Sequence, residues 1–310
     1  MSQPLTAATH GVFTIAATPF RPDGARDLES LDRLCDFFRE KGANGLTLLG
    51  IMGEAPKLTL EESVQVARRV LARLAGQVPV IVGVSAPGFA PMKDLADRVM
   101  DLGAAGVMIA PAASLRGDDQ ALTWYQAVAD YLGPVPFVLQ DFPVITGVHL
   151  SPDGIRRIAG ACPTFAVLKH EDWPGLEKIS ALRAQEAAGA RRLPILCGNG
   201  GQFLVEEMRR GADGAMTGFA WPEMMADVVR LAAAGEWSRA HDLFDAYLPL
   251  LRLEVQPGGH GLAVRKYLLA SRGAMAHATA RAPAVTLSAR AVEEIDRLVA
   301  RQQARLAELA

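Results

Sequence analysis

Lys169 is the side chain in this sequence whose setting best suits covalent chemistry. The chain holds six lysines against 26 arginines. Lys41, Lys93 and Lys178 lie in patterns that read as solvated helix faces or loops. Lys169 instead closes the apolar run Phe165-Ala166-Val167-Leu168, which reads as a buried strand. Desolvation disfavours an ammonium and frees the amine. A free amine attacks a ketone and forms an imine. At this level a structural ion pair between Lys169 and Glu171 or Asp172 stays open as the alternative, since perturbed lysines are not all functional.

Other strand ends carry further candidates. Gly50-Ile51-Met52-Gly53-Glu54 is a glycine-flanked turn, and successive exposed N–H groups in such a turn bind an anion such as a substrate carboxylate. An ordinary connection between a strand and a helix has the same composition. Thr18-Pro19, Gln140-Asp141-Phe142-Pro143, Gly198-Asn199-Gly200-Gly201 and Thr217-Gly218 close other apolar runs, and of these we take Thr18, Gln140, Gly198, Asn199 and Gly218 as candidate pocket walls. The glycines after Asn199 are too few for a phosphate loop. The six histidines, at 10, 149, 170, 241, 260 and 277, show no metal-ligand spacing, so no metal and no cofactor is expected. His170 alone stands at a strand end, where a supporting role is commoner than that of a base.

These positions matter because of the elements that present them. Eight short apolar runs are expected as strands: Val12–Ala17, Leu46–Leu49, Val80–Val84, Val107–Ala110, Phe137–Gln140, Ala166–Lys169, Ile195–Gly198 and Ala215–Gly218. They are continuous rather than alternating, as in parallel sheets covered on both faces. Helical patterns such as Leu28–Lys41, Leu60–Leu74 and Leu122–Tyr131 separate them. The entry Gly-Ala-x-Gly recurs at 42–45, 103–106 and 211–214, its first glycine reading as a helix C-terminal stop. The entries Val78-Pro79, Val135-Pro136 and Leu193-Pro194 alternate with it, since proline is tolerated at the first residue of a strand. The expected fold is therefore an α/β (β/α)₈ TIM barrel over residues 1–223, with the last barrel helix and a C-terminal helical extension over 224–310. Such barrels present catalytic groups at the C-terminal ends of their strands. An open doubly wound sheet would want a glycine-rich fingerprint after the first strand, and Thr18-Pro19-Phe20 is not one.

Composition narrows the classes further. Half the residues are hydrophobic and the formal net charge is −2, which does not suggest a nucleic-acid partner. No apolar run approaches the roughly 18 residues of a membrane span, and MSQPLTAATHGVF lacks the basic and apolar regions of a signal peptide. Cys35, Cys162 and Cys197 are isolated and odd in number, as suits a reducing cytoplasm.

Taken together, the motifs resemble the dihydrodipicolinate synthase / N-acetylneuraminate lyase superfamily of Schiff-base aldolases over nearly the whole chain. The features that carry the resemblance are Ala17-Thr18-Pro19-Phe20, Gly50-x-x-Gly53-Glu54 followed by Leu58-Thr59-x-x-Glu62, Pro143, Lys169, and Gly211-Ala212-x-Gly214-Ala215. The resemblance implies a homotetramer of barrels, no metal, and an imine between Lys169 and a small 2-oxo acid. The departures are equally specific. The family's strand-five tyrosine is Gln140 here, the hydroxyl residues of its glycine turn are Ile51 and Met52, and the arginine that synthases place five residues after the tyrosine is Ile145. Gln140-Asp141-Phe142-Pro143 is instead similar to the matching segment of L-2-keto-3-deoxyarabonate dehydratases. The resemblance thus implies a dehydratase of a 2-keto-3-deoxy sugar acid, with Lys169 and Gln140 as catalytic residues. Two alternatives stand beside it. One is a pyruvate-dependent aldolase. The other is a keto-acid-binding protein with reduced turnover, motivated by the missing tyrosine. His170, Glu171, bound water and the substrate carboxylate are the available proton carriers.

Overall fold

Eight short apolar runs become eight parallel strands of one closed barrel in the computed structural model, which describes residues 4–309. The strands are β1 Gly11–Ile15, β2 Gly45–Leu48, β3 Val80–Gly83, β4 Gly106–Ile109, β5 Phe137–Asp141, β6 Phe165–His170, β7 Ile195–Cys197 and β8 Gly214–Thr217. Each pairs with its sequence neighbour, and β1 closes on β8 with Gly11 beside Gly214 and Thr14 beside Thr217. Twelve helices are described: α1 Leu28–Glu40, α2 Leu60–Leu74, α3 Phe89–Asp101, α4 Gly117–Leu132, α5 Pro143–Thr146, α6 Pro152–Ala161, α7 Leu176–Ala187, α8 Leu204–Arg209, α9 Pro222–Ala233, α10 Trp237–Glu254, α11 His260–Ser271 and α12 Ala289–Leu309. The expected division at 223/224 falls just inside α9.

The core divides as the strand alternation demands. Phe13, Ile15, Ile81, Met108, Val138, Val167, Leu196 and Met216 fill the barrel interior, with Leu5 and Ala105 packed against them. The alternate residues, such as Leu139, Leu168 and Cys197, join the layer between strands and helices. Phe137 stacks between Tyr125 and Phe165 there, with ring centroids 5.9 and 5.6 Å away.

Both kinds of strand entry have a geometric reason. Gly42, Gly103 and Gly211 take φ of +88, +96 and +95°, the left-handed stop expected of a helix end. The prolines lack a donor, but their carbonyls still serve the ladder. Pro79, Pro136 and Pro194 accept from the amides of Leu46, Val107 and Leu168 at 2.9–3.0 Å.

Gly214 is the tightest of the entry glycines. Its φ is +147°, and a Cβ there would lie 2.0 Å from the Gly11 carbonyl oxygen. That contact lies on the β1–β8 closure, so backbone rather than a side chain must yield. Gly214→Ala is expected to lower stability by about 3 kcal/mol or more, read as a fall in the thermal unfolding midpoint.

Two expectations change. The helix expected over Leu122–Tyr131 begins at Gly117, where Asp118 and Asp119 complement the helix dipole in the first turn. The helical stretch expected from Leu262 onward divides into α11 and α12. Between them residues 272–288 run without helix, through Gly273 and Pro283, residues that oppose helix continuation. This connection is tied to the barrel. The Ala276 amide donates to Ser30 Oγ at 2.9 Å, and the Arg281 guanidinium donates to Glu62 Oε1 at 2.8 Å and to the Gly24 carbonyl at 3.0 Å. No helix among the described residues is long and apolar enough to cross a membrane.

Candidate active site

The barrel interior ends upward in charged and polar groups. On β6, Val167 points inward and Leu168 outward. The alternation therefore turns Lys169 into the barrel mouth and His170 to its outer face. Gln140 is the register partner of Lys169, and Asp141 that of His170. Gln140 thus shares the inward face with Lys169.

Glu171 joins these two residues. Its Oε2 lies 2.9 Å from Lys169 Nζ and accepts from Gln140 Nε2 at 2.6 Å. Its Oε1 accepts from the Asn199 amide at 3.1 Å. Lys169, Gln140 and Glu171 are all buried, so the ion pair is little screened by solvent. Gly198 makes room for this arrangement, since a Cβ there would lie 2.2 Å from Glu171 Cγ. The loop after β7 is fixed in turn by Thr217, whose Oγ1 accepts from the Gly200 amide at 2.8 Å.

The turn after β2 is held from beneath. Leu49 and Glu54, at either end, have φ of 55 and 57°, a costly conformation for residues with side chains that is typical of functional turns. Gly50 faces the barrel interior, where a Cβ would touch Met108 Cε at 3.4 Å. Met52 packs against the interior cluster, and Ile51 is 48% exposed. The Gly53 amide donates to the Gly50 carbonyl at 3.0 Å. The amides of Ile51 and Met52, in the first turn of this short helix, have no partner within it.

Thr18 and Glu54 are placed to support the turn. Thr18 Oγ1 donates to the Gly53 carbonyl at 2.6 Å. Glu54 is buried and accepts from Lys57 Nζ at 2.8 Å, from the Arg281 amide at 2.9 Å and from Lys266 Nζ. Lys266 also donates to the Thr18 carbonyl at 2.8 Å and lies 4.6 Å from the Phe20 ring centre. Burial pulls its ammonium down to about 8 against the pull of Glu54. The Ala17-Thr18-Pro19-Phe20 segment and the glycine turn are thus bolted to α11 by one buried lysine. Gly218, at the end of β8, is covered by Arg265 of the same helix.

The outer face of β5 and β6 carries a second charged group. Asp141 Oδ2 accepts from Lys178 Nζ at 2.8 Å and lies 3.9 Å from His170 Nδ1. Lys178 also reaches Asp172 at 2.6 Å. Burial pushes the Asp141 carboxyl up to about 6, against the opposing effect of Lys178. Burial and Lys178 together pull His170 down to about 4. Between about pH 4 and 6 folded Asp141 holds more protons than its unfolded counterpart, so its contribution to stability falls as pH rises. His170 does the reverse, because the unfolded imidazole binds protons that the folded one refuses. The two slopes oppose each other. In Asp141→Asn the histidine slope is left alone, and stability is expected to fall by about 3 kcal/mol from pH 6.5 to 4. Urea titrations across that range test this, and a variant with an unchanged pH slope would contradict it.

Position-by-position reading located Lys169 and Gln140 but left the role of Glu171 open among several proton carriers. Its one signal in sequence was the spacing Lys169-x-Glu171. Residues two apart along a strand share a face, so that spacing sets both side chains on the mouth where β6 ends. No group of histidine, cysteine, aspartate or glutamate with metal-holding geometry occurs among the described residues.

Comparison with known proteins gives a consistent outcome. The family model described as the dihydrodipicolinate synthetase family matches residues 8–302. A crystal structure described as dihydrodipicolinate synthase from Rhodopseudomonas palustris superposes with a TM-score of 0.94 at 52% identity, covering 97% of this chain and 100% of that one. The 4-hydroxy-tetrahydrodipicolinate synthase of Sorangium cellulosum is 32% identical over 95% of this chain and 96% of its own length. The L-2-keto-3-deoxyarabonate dehydratase of Azospirillum brasilense is 29% identical over 91% of each.

Proposed function

Because this chain belongs to the dihydrodipicolinate synthetase family, whose members are lyases, we propose that it forms a Schiff base between Lys169 and a small 2-oxo acid and dehydrates a 2-keto-3-deoxy sugar acid. The observation that carries this reading is the buried contact of Lys169 Nζ with Glu171, itself held by Gln140 and the Asn199 amide.

The substrate carboxylate rests on the Ile51 and Met52 amides. Lys169 passes a proton to Glu171 and its amine adds to the C2 carbonyl. Glu171 returns that proton to the carbinolamine hydroxyl, which leaves as water and gives a protonated imine. That charge acidifies C3, and Glu171 takes a C3 proton to give the enamine. The enamine electron pair expels the C4 hydroxyl, which leaves as water with that proton from Glu171. Hydrolysis of the imine returns the amine and releases the product. Gln140 carries no titrating proton, and its amide orients Glu171 between these transfers.

The dehydratase reading has two supports. Gln140-Asp141-Phe142-Pro143 replaces the tyrosine segment, and the dehydratase of Azospirillum brasilense matches along nearly the full chain. The second reading is carbon–carbon cleavage or aldol addition, supported by the names of the synthase relatives. Synthesis of a dicarboxylate wants a cation for the second carboxylate, and position 145 holds an isoleucine that is 59% exposed. Incubation with a panel of 2-keto-3-deoxy sugar acids separates the two. Dehydrated 2-oxo acids are the expected products, and release of pyruvate with an aldehyde would overturn the dehydratase reading. We also infer a homotetramer from family membership, with light scattering at micromolar concentration as its test.

A further inference from the structure

α11 lays two adjacent basic residues across the barrel mouth, and they are used differently. Lys266 has all its donors engaged, by the Thr18 carbonyl at 2.8 Å, the Thr279 carbonyl at 2.9 Å and Glu54. Arg265 is not saturated. It is 3% exposed, and its Nε donates to Glu254 Oε2 at 2.8 Å. Its Nη1 is enclosed and meets no acceptor among the described residues.

That nitrogen lies over the end of β8. It stands 2.3 Å from where a Cβ on Gly218 would be. Gly218 follows Met216, a barrel-interior residue, by two positions, and its Cβ would also lie 3.2 Å from the Ile15 carbonyl. Strand alternation gives position 218 the same inward side as Met216. The guanidinium therefore occupies the slot that a side chain at 218 would fill, on the same rim as Gly198 and Glu171. An enclosed donor without an acceptor costs free energy, and a bound ligand would relieve that cost.

The charges narrow what the ligand offers. Glu254 is buried, and both its oxygens are engaged by the Ala220 amide at 3.2 Å and by Arg265. Arg265 and Glu254 form a balanced pair, as do Lys169 and Glu171. A second substrate carboxylate would bring an uncompensated charge into this enclosed rim. A hydroxyl oxygen needs only the free N–H.

We propose that Arg265 is a specificity residue that donates from Nη1 to a hydroxyl oxygen on the tail of the 2-oxo acid, selecting hydroxylated, uncharged tails over carboxylated ones. The assignment rests on Lys169 being the Schiff-base residue.

The test compares three probes: pyruvate, which has no tail; a five-carbon 2-keto-3-deoxy sugar acid; and 2-oxoglutarate, whose tail ends in a carboxylate. Borohydride trapping on Lys169, followed by mass spectrometry, gives the half-saturating concentration of each. In the unaltered chain the sugar acid is expected to saturate at a lower concentration than 2-oxoglutarate. In Arg265→Lys, which keeps a cation beside Glu254, and in Arg265→Met, the value for the sugar acid is expected to rise about tenfold more than that for pyruvate, the worth of one buried hydrogen bond. Circular dichroism identifies a variant that fails to fold, and the lysine variant then decides. Equal losses for pyruvate and the sugar acid would place Arg265 elsewhere and overturn the proposal. So would tighter binding of 2-oxoglutarate than of the sugar acid in the unaltered chain. No adduct with any probe would overturn the Schiff-base reading, and this one with it.

Discussion

Lys169→Ala is expected to lower turnover of every 2-oxo acid substrate by about 10⁴-fold or more, while leaving the barrel folded. The size follows from the role, because without the amine no imine forms and the C3 proton loses its electron sink. Removing the lysine leaves Glu171 as a buried carboxylate without its cation, a loss that lowers stability. Gln140 and the Asn199 amide still donate to it at 2.6 and 3.1 Å, so the rim keeps much of its order. Lys169→Arg separates charge from nucleophile. It restores a cation beside Glu171, yet its guanidinium does not add to ketones, so turnover is expected to stay as low as in the alanine variant. Progress curves with a keto-acid panel read the effect, and thermal unfolding checks the fold. Recovery of substantial activity in the arginine variant would contradict nucleophilic chemistry at this position.

Glu171→Gln is expected to lower kcat by about 10²- to 10³-fold, the range typical of a positioned acid or base, with a much smaller change in KM. Glutamine keeps the volume beside Gly198 and the acceptor for the Asn199 amide. It removes the group that takes a proton from Lys169 and returns one to the leaving hydroxyl. The residual rate should rise with pH, since the amine must then lose its proton to solvent. A purely structural role for Glu171 would give a lower melting point with an unchanged pH profile, and that result would exclude the relay. Gln140→Leu is the companion variant. It leaves Glu171 in place but unoriented, so its kcat is expected to fall less than that of Glu171→Gln.

Most of the barrel could be read from local pattern, for reasons visible in particular residues. A strand covered on both faces is written as a continuous apolar run, and Val80–Gly83 or Phe165-Ala166-Val167-Leu168 have no other reading beside their helical neighbours. The Gly-Ala-x-Gly and x-Pro entries mark where those strands begin, because one stops a helix and the other opens a ladder. Lys169 was legible because it breaks an apolar run at the end where barrels carry chemistry. What local pattern hides is pairing over distance. The partner that covers Gly218 is Arg265, on a helix beyond the last strand. Glu54 closes the turn that resembles an anion cradle, yet its own carboxylate is engaged by Lys57, Arg281 and Lys266. Thr18 likewise looks like a hydroxyl for substrate and instead holds the Gly53 carbonyl. For Gly218 and Glu54 the deciding contacts include α11 and the connection after it, and residue spacing carries no record of them.

The departures from the family pattern acquire a physical sense in the same way. Replacing a tyrosine by Gln140 removes a titrating hydroxyl from the mouth. The amide that stands there donates to a carboxylate, which a tyrosine would also do, but holds no proton to give. The proposed mechanism therefore routes its proton transfers through Glu171, the one carboxylate in contact with Lys169 Nζ among the described residues.

The central claim is that Lys169 forms an imine with a 2-oxo acid, and borohydride reduction in the presence of pyruvate measures it most directly. The account predicts a single adduct, heavier than the free chain by pyruvic acid less one oxygen, mapped by peptide mass spectrometry to the segment containing Lys169 and absent from Lys169→Ala. Turnover of a 2-oxo acid with no such adduct, or an adduct that persists in Lys169→Ala, would contradict it.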